Sequence, residues 1–261
     1  MHPELFTFQL FGKTITLYSY GAFLLLALVL GILVLYWQLS KRNLVRRKIF
    51  DNILWTILGG IFGARLFFVL FHFGFYLGNP KEIFRIWHGG LDFYGAFISG
   101  FIVLALWLWV RKREEFWAWL DSSIIALVCG FAVGTVGSFL LGSGYGRPSD
   151  LPWAVTFPVL SDNVSRHPTQ IYEFAACSLI FIFLILLSNS KKIQKKQGFV
   201  FFFGLILFST ARFVIEFFKV PDIILFKGIL EFTSVHLLSF LFLICGVIGV
   251  IWKCRIQSKE E

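Results

Sequence analysis

Apolar runs of about twenty residues recur along the whole chain, separated by short polar connections. An α-helix rises about 1.5 Å per residue, so each run is long enough to cross roughly 30 Å of hydrocarbon. Seven spans are predicted, near Tyr20–Leu39, Ile53–Leu77, Phe93–Val110, Phe116–Leu141, Ile171–Leu187, Gly198–Phe218 and Thr233–Trp252. No soluble unit separates off, because the longest polar-leaning stretch, Gly142–Gln170, still carries Trp153, Phe157 and Leu160. The pattern predicts an all-α polytopic membrane protein, one integral-membrane domain over residues 1–261. Met1–Tyr20 contains His2, Glu4 and Lys13 among short apolar stretches and lacks the order of a cleavable signal peptide.

Composition agrees. The chain is 57% apolar and 15% charged, with a mean hydropathy of +0.78, against roughly 45–50% and 25% for globular domains. Soluble, disordered and collagen-like classes are thereby excluded. Charge then orients the spans. Fifteen Lys/Arg fall in Lys41–Lys48, Arg111–Arg113, Lys191–Lys196 and Lys253–Lys259, and seven in the alternate connections. The basic excess predicts the cytoplasmic face, hence an external N-terminus and a cytoplasmic C-terminus. The net charge of +9 reads as topogenic charge plus attraction to the anionic lipid bilayer, with no nucleic-acid partner. Cys129, Cys177 and Cys245 lie in apolar runs and Cys254 in a basic tail, without metal-ligand spacing, so neither disulfide nor metal is expected.

Ionisable residues inside spans are costly and default to functional candidates. Here they are Arg65, Asp121, Glu173, Arg212 and Glu216. Arg212 and Glu216 stand four apart and can pair on one helical face. Arginine keeps its charge when buried, and its forked donors suit phosphate or carboxylate. In the run Ser165-Arg166-His167-Pro168-Thr169-Gln170-Ile171-Tyr172-Glu173, Pro168 favours a helix first turn. Arg166, His167 and Arg147 are then candidate partners of Glu173. A third cluster, Trp87-His88-Gly89-Gly90-Leu91-Asp92-Phe93-Tyr94-Gly95-Ala96, leads through flexible glycines into a span, as irregular backbone lining a cavity does. Gly59, Gly60, Gly63 and Ala64 read as helix-packing positions. The chain shows no internal repeat of the kind that marks transporters.

In this order the clusters resemble the prolipoprotein diacylglyceryl transferase family. The resemblance runs from Tyr20-Gly21-Ala22 through Gly63-Ala64-Arg65, Trp87 to Gly95, Gly146-Arg147, Phe157-Pro158 and Arg166 to Glu173. It ends at Arg212-Phe213-Val214-Ile215-Glu216-Phe217-Phe218 with Pro221-Asp222. It implies a bacterial cytoplasmic (inner) membrane enzyme that moves the diacylglyceryl group of phosphatidylglycerol onto the lipobox cysteine of a prolipoprotein signal peptide. No cofactor is implied. By the same resemblance Arg212, Arg147, Arg166 and Gln170 contact the phospholipid, and Tyr20, Tyr94, His167 and Glu173 are candidates for handling the thiol proton. The chain departs from the family signature, Gly-Arg-x-Gly-Asn-Phe-x-Asn-x-Glu. Thr135, Ser138, Leu141 and Ser143 stand at its Arg, Asn, Asn and Glu. Tyr94 stands at a histidine, Ala96 at a glycine, and Val235-His236 at Gly-Gln. The missing arginine contacts the lipid phosphate in the family, and Arg147 is the preferred substitute. The alternative is a non-catalytic homologue that binds phospholipid or lipoprotein.

Overall fold

The computed structural model describes residues 4–10, 13–44, 49–85, 89–111, 115–194, 196–221, 224–226 and 231–257. Strands β1 (Glu4–Leu10) and β2 (Lys13–Tyr18) precede helices α1 (Ser19–Lys41), α2 (Ile49–Phe71), α3 (Phe73–Gly78), α4 (Phe93–Arg111) and α5 (Phe116–Leu141). Then follow β3 (Val155–Thr156), β4 (Ser165–Arg166), α6 (Thr169–Asn189), α7 (Lys191–Gln194), α8 (Phe199–Glu216), β5 (Ile224–Phe226), β6 (Phe232–Thr233) and α9 (Ser234–Gln257). The strands pair as three antiparallel two-stranded ladders, β1–β2, β3–β4 and β5–β6.

The protein is a mostly helical polytopic membrane protein. Among the described residues six helices are long and apolar enough to cross a bilayer: Ser19–Lys41, Phe50–Phe71, Phe116–Leu141, Thr169–Asn189, Phe199–Glu216 and Ser234–Arg255. The apolar stretch Tyr94–Val110 is shorter. The span expected over Ile53–Leu77 is divided instead. His72 leaves helical geometry (φ −115°, ψ 32°) between α2 and α3. Its Nδ1 lies 3.0 Å from the Phe68 carbonyl oxygen, a local side-chain contact that competes with continuation of the helix. Hydropathy runs unbroken through this point, which is why the break leaves no trace in the apolar pattern.

Packing divides the chain into two compact units, Met1–Leu39 with Trp117–Glu261, and Ser40–Phe116. In the smaller unit α2 and α4 meet through small residues, as expected for Gly63. A Cβ on Gly63 would come within 2.6 Å of the Gly95 carbonyl oxygen, and one on Gly95 equally close to that of Gly63. Lipid offers apolar side chains no hydrophobic gain from associating, so close backbone approach and dispersion hold such helices together. Arg65 serves the same unit. Its guanidinium donates to the carbonyls of Ile83, Gly89 and Gly90 at 2.7–2.9 Å and also to that of Glu82. It thereby ties the segment after α3 back onto α2.

In the larger unit α8 is central, packing against α6 and α9 and, at Gly204, against Ile124 of α5. Its first turn has no cap of its own. Asp121, on α5 and 1% exposed, supplies one: its carboxylate accepts from Gly198 N at 3.0 Å and Phe201 N at 2.9 Å. This buried carboxylate therefore has a structural use, satisfying amides that every helix start leaves unpaired. The Asp121→Ala substitution is expected to destabilise the larger unit by about 1–3 kcal/mol. Asp121→Asn, which keeps one acceptor, should cost less. Thermal unfolding midpoints of the detergent-solubilised variants measure both.

Candidate active site

The connection between α5 and α6 is clamped to the end of α8 by backbone bonds. Gly146 N donates to the His167 carbonyl at 3.0 Å, Arg147 N to that of Phe218 at 2.8 Å, and His167 N to that of Arg147 at 3.1 Å. Gly146 is required there, since a Cβ would lie 2.6 Å from the His167 oxygen and 2.7 Å from the Phe218 oxygen. The clamp brings residues far apart in sequence around the first turns of α6.

Glu173, on α6 and 4% exposed, lies at the centre. Its Oε1 accepts from Arg212 Nη1 at the last turn of α8, and Lys219 Nζ reaches the same oxygen at 2.8 Å. Arg212 is 9% exposed, and its Cζ lies 5.4 Å from the centroid of the Phe131 ring on α5. Two cations thus share one buried carboxylate, with the buried carboxylate of Glu216 one turn along α8 from Arg212. Charge removed from water is costly unless compensated, and here each charge has an opposite one close by. One turn before Glu173, Gln170 donates from Nε2 to the Ser143 carbonyl at 2.7 Å, and Thr169 Oγ1 donates to that of Gly144 at 2.7 Å.

Further contacts surround the trio. Glu216 Oε1 accepts from Thr233 Oγ1 at 3.0 Å, and that hydroxyl lies 3.0 Å from His236 Nδ1. His236 is enclosed by the rings of Phe213, Phe217 and Phe232. His167 Nδ1 lies 3.1 Å from the Tyr172 hydroxyl, which accepts from Trp153 Nε1 at 2.8 Å. Arg166 pairs with Asp162 at 2.5 Å, and its hydrogen bond holds the Asp162 carboxyl below the ordinary aspartate range.

The structure brings three of the expected site residues, Arg212, Glu173 and Gln170, into one unit with His167 nearby. It corrects the pairing of Glu173, which meets Arg212 and Lys219 and not the candidate partners Arg166, His167 or Arg147. Glu216, which the spacing allows to pair with Arg212, accepts from Thr233. The reason is tertiary: the end of α8 faces α6, so its arginine meets the carboxylate across the helix contact. Arg147, preferred as an anion contact, pairs with Glu231 at 3.0 Å and donates from Nε to the Lys219 carbonyl at 3.1 Å. Tyr20, in the first turn of α1, is 39% exposed. Tyr94 lies buried in α4 of the smaller unit, beside Asp92, whose Oδ1 accepts from Gly95 N at 2.6 Å. Trp87 and Asp222 lie outside the described residues.

Thr135 turns its hydroxyl back to the Ala132 carbonyl at 2.7 Å. It stands one turn beyond Phe131, on the face that meets Arg212. Lys219 is the residue that reading the sequence missed. It lies just beyond the end of α8, yet positions 212, 216 and 219 repeat the spacing of one helical face. Among the described residues no group of three His, Cys, Asp or Glu side chains could hold a metal.

Removing the shared carboxylate leaves buried Arg212 and partly exposed Lys219 facing each other without their common partner. Glu173→Gln is therefore expected to destabilise the larger unit by about 3 kcal/mol. Adding Lys219→Ala should recover part of that loss, and thermal unfolding in detergent of the single and double variants reads it.

The model of the family described as prolipoprotein diacylglyceryl transferase matches residues 6–252. Proteins named phosphatidylglycerol–prolipoprotein diacylglyceryl transferase are similar over most of their length. One from Cupriavidus metallidurans is 35% identical over 221 residues, covering 84% of this chain and 80% of its own. One from Pseudomonas fluorescens is 36% identical over 228 residues, covering 83% of each.

Proposed function

Because the chain belongs to the prolipoprotein diacylglyceryl transferase family, we propose that it transfers the diacylglyceryl group of phosphatidylglycerol to the lipobox cysteine of a prolipoprotein signal peptide. The observation that carries this reading onto the chain's own residues is the pair of cations, buried Arg212 and partly exposed Lys219, on the single carboxylate of Glu173.

The reaction forms a bond from the cysteine sulfur to the terminal glyceryl carbon and breaks the bond from that carbon to the phosphate oxygen. The thiol proton is lost, and glycerol phosphate leaves with the bonding electrons. Negative charge develops on the leaving phosphate, where Arg212 and Lys219 stabilise it at a site poor in water. Glu173 presets both cations, so little rearrangement is needed as charge grows. Lys219 takes the second phosphate contact for which Arg147 was the sequence candidate, since Arg147 is engaged by Glu231. A thiol is only a few per cent thiolate at neutral pH. His167, bonded to Tyr172, is the acceptor we assign to its proton. Arg166 and Gln170 border the headgroup, while Tyr20 and Tyr94 remain candidates for the precursor side of the reaction.

We further propose seven crossings in the bacterial inner membrane, with the N-terminus outside and the C-terminus cytoplasmic. The nineteen residues of α4 extend about 28 Å at about 1.5 Å per residue, which supports α4 as the seventh. The charge asymmetry supports the orientation. Both compact units belong, on this reading, to one integral-membrane domain.

Complementation tests the activity. Expressed in a strain depleted of its own transferase, the chain should restore lipidation of a precursor, visible as a gel shift. Arg212→Ala should lower the rate about 10²–10³-fold without preventing membrane insertion, and Arg147→Ala should cost less than about tenfold. Absence of any rescue by the inserted wild-type chain would defeat the proposal.

A further inference from the structure

The first turn of α9 is fastened by a histidine at a point where charge would undo it. Thr233 precedes α9 as its N-cap, and His236 stands at the third helical position. Thr233 Oγ1 accepts from His236 N at 3.3 Å, and His236 Nδ1 accepts from Thr233 N at 3.2 Å. This reciprocal pair is a capping box, which ordinarily carries Glu or Gln at that third position. A backbone N–H can only donate. The network therefore assigns Nδ1 an open lone pair and puts the proton of the neutral ring on Nε2. The Thr233 hydroxyl keeps its own hydrogen for Glu216 Oε1, at 3.0 Å. Thr233, His236 and Glu216 are all buried.

A second proton on the ring has no good place. On Nδ1 it would face the Thr233 amide, donor against donor. Its other neighbour is the Thr233 hydroxyl, 3.0 Å away, which already serves His236 N and Glu216. Nε2 is buried without a hydrogen-bond partner, among the rings of Phe213, Phe217 and Phe232. The charged groups that act on the ring are Glu216 of α8 and Arg147 of the α5–α6 connection, of opposite sign. Arg147 is itself paired with Glu231, ahead of β6. With those charges opposed, the hydrogen bonds decide the state of the ring. We infer that His236 makes the start of α9 an acid-sensitive latch. Unprotonated, it closes the capping box and holds Thr233 on Glu216; protonated, it opens the box and loosens α9 from α8. Once the turn opens, the ring takes a proton freely. The latched state therefore binds fewer protons and weakens as pH falls through the histidine range. On the proposed orientation the latch lies at the external end of α9, where the surroundings set the pH. It acts on α8 one turn beyond Arg212.

The test uses His236→Gln, which rebuilds the box with a side chain that does not titrate. Thermal unfolding midpoints of the full wild-type and variant chains in detergent are read at about pH 8 and about pH 5, the two ends of the histidine range. Wild type should lose about 2–4 °C more than His236→Gln between them. Groups common to both chains cancel in that difference. Hydrogen exchange of the wild-type chain gives a second reading, independent of how the variant folds. Corrected for the intrinsic effect of pH, protection of the amides in the first turns of α9 should fall about fivefold at the acid end, the worth of one cap. The start of α8, capped by Asp121, should keep its protection. Equal losses in the two chains overturn the inference, as does unchanged protection at α9 or an equal loss at the start of α8.

Discussion

The carboxylate of Glu173 is the point on which the larger unit turns. Within apolar helices, one oxygen of that group receives both the Arg212 guanidinium and the Lys219 ammonium. Desolvating three charges is tolerable only because they compensate one another at contact distance, and a buried pair stripped of one member is strongly destabilised. The trio therefore does two jobs. It ties α6 to the end of α8, and on the proposed reading it also presents cations to an anionic headgroup.

Backbone geometry makes that convergence possible. The α5–α6 connection adopts paired, strand-like backbone at Gly146 and His167 and joins the chain leaving α8 at Phe218. Without this clamp, residues 143, 170, 173 and 219 would belong to unrelated segments. A membrane protein tolerates such irregular backbone only where its amides and carbonyls find partners within the chain. Here Gln170, Thr169 and Arg147 supply side-chain partners for the carbonyls of Ser143, Gly144 and Lys219.

Hydropathy and charge made much of this legible in advance. The positions of the long helices follow from apolar run length, Arg212 and Glu173 stand out because ionisable groups are expensive at membrane depth, and Gln170 stands out through the Arg166–Glu173 run and the family it resembles. Four features escaped. The break at His72 sits within continuous hydropathy, so the apolar pattern carries no sign of it. The β1–β2 hairpin is too short in apolar content to register beside twenty-residue runs. The partner of Glu173 depends on which helices touch: spacing along one helix points Arg212 to Glu216, whereas α6 against α8 points it to Glu173. Lys219 was visible as a charge but not as a member of the site, because its place follows from the chain's course after α8 ends.

The intramembrane ionisable groups of this chain also separate by how their bonding capacity is met. Asp121 spends both oxygens on backbone amides at the start of α8, and Arg65 spends its donors on a run of loop carbonyls. Each thereby satisfies backbone groups that the fold would otherwise leave unpaired. Glu216 is joined to a hydroxyl and, through it, to an imidazole, which secures α8 to β6 and α9. The cluster at Glu173 differs in kind, since its partners are themselves ionic. Arg212 and Arg65, both buried arginines in long apolar helices, thus differ in what they donate to: Arg65 to loop carbonyls, Arg212 to a carboxylate that a second cation shares. That difference is why the proposed function is placed on Arg212 and not on Arg65.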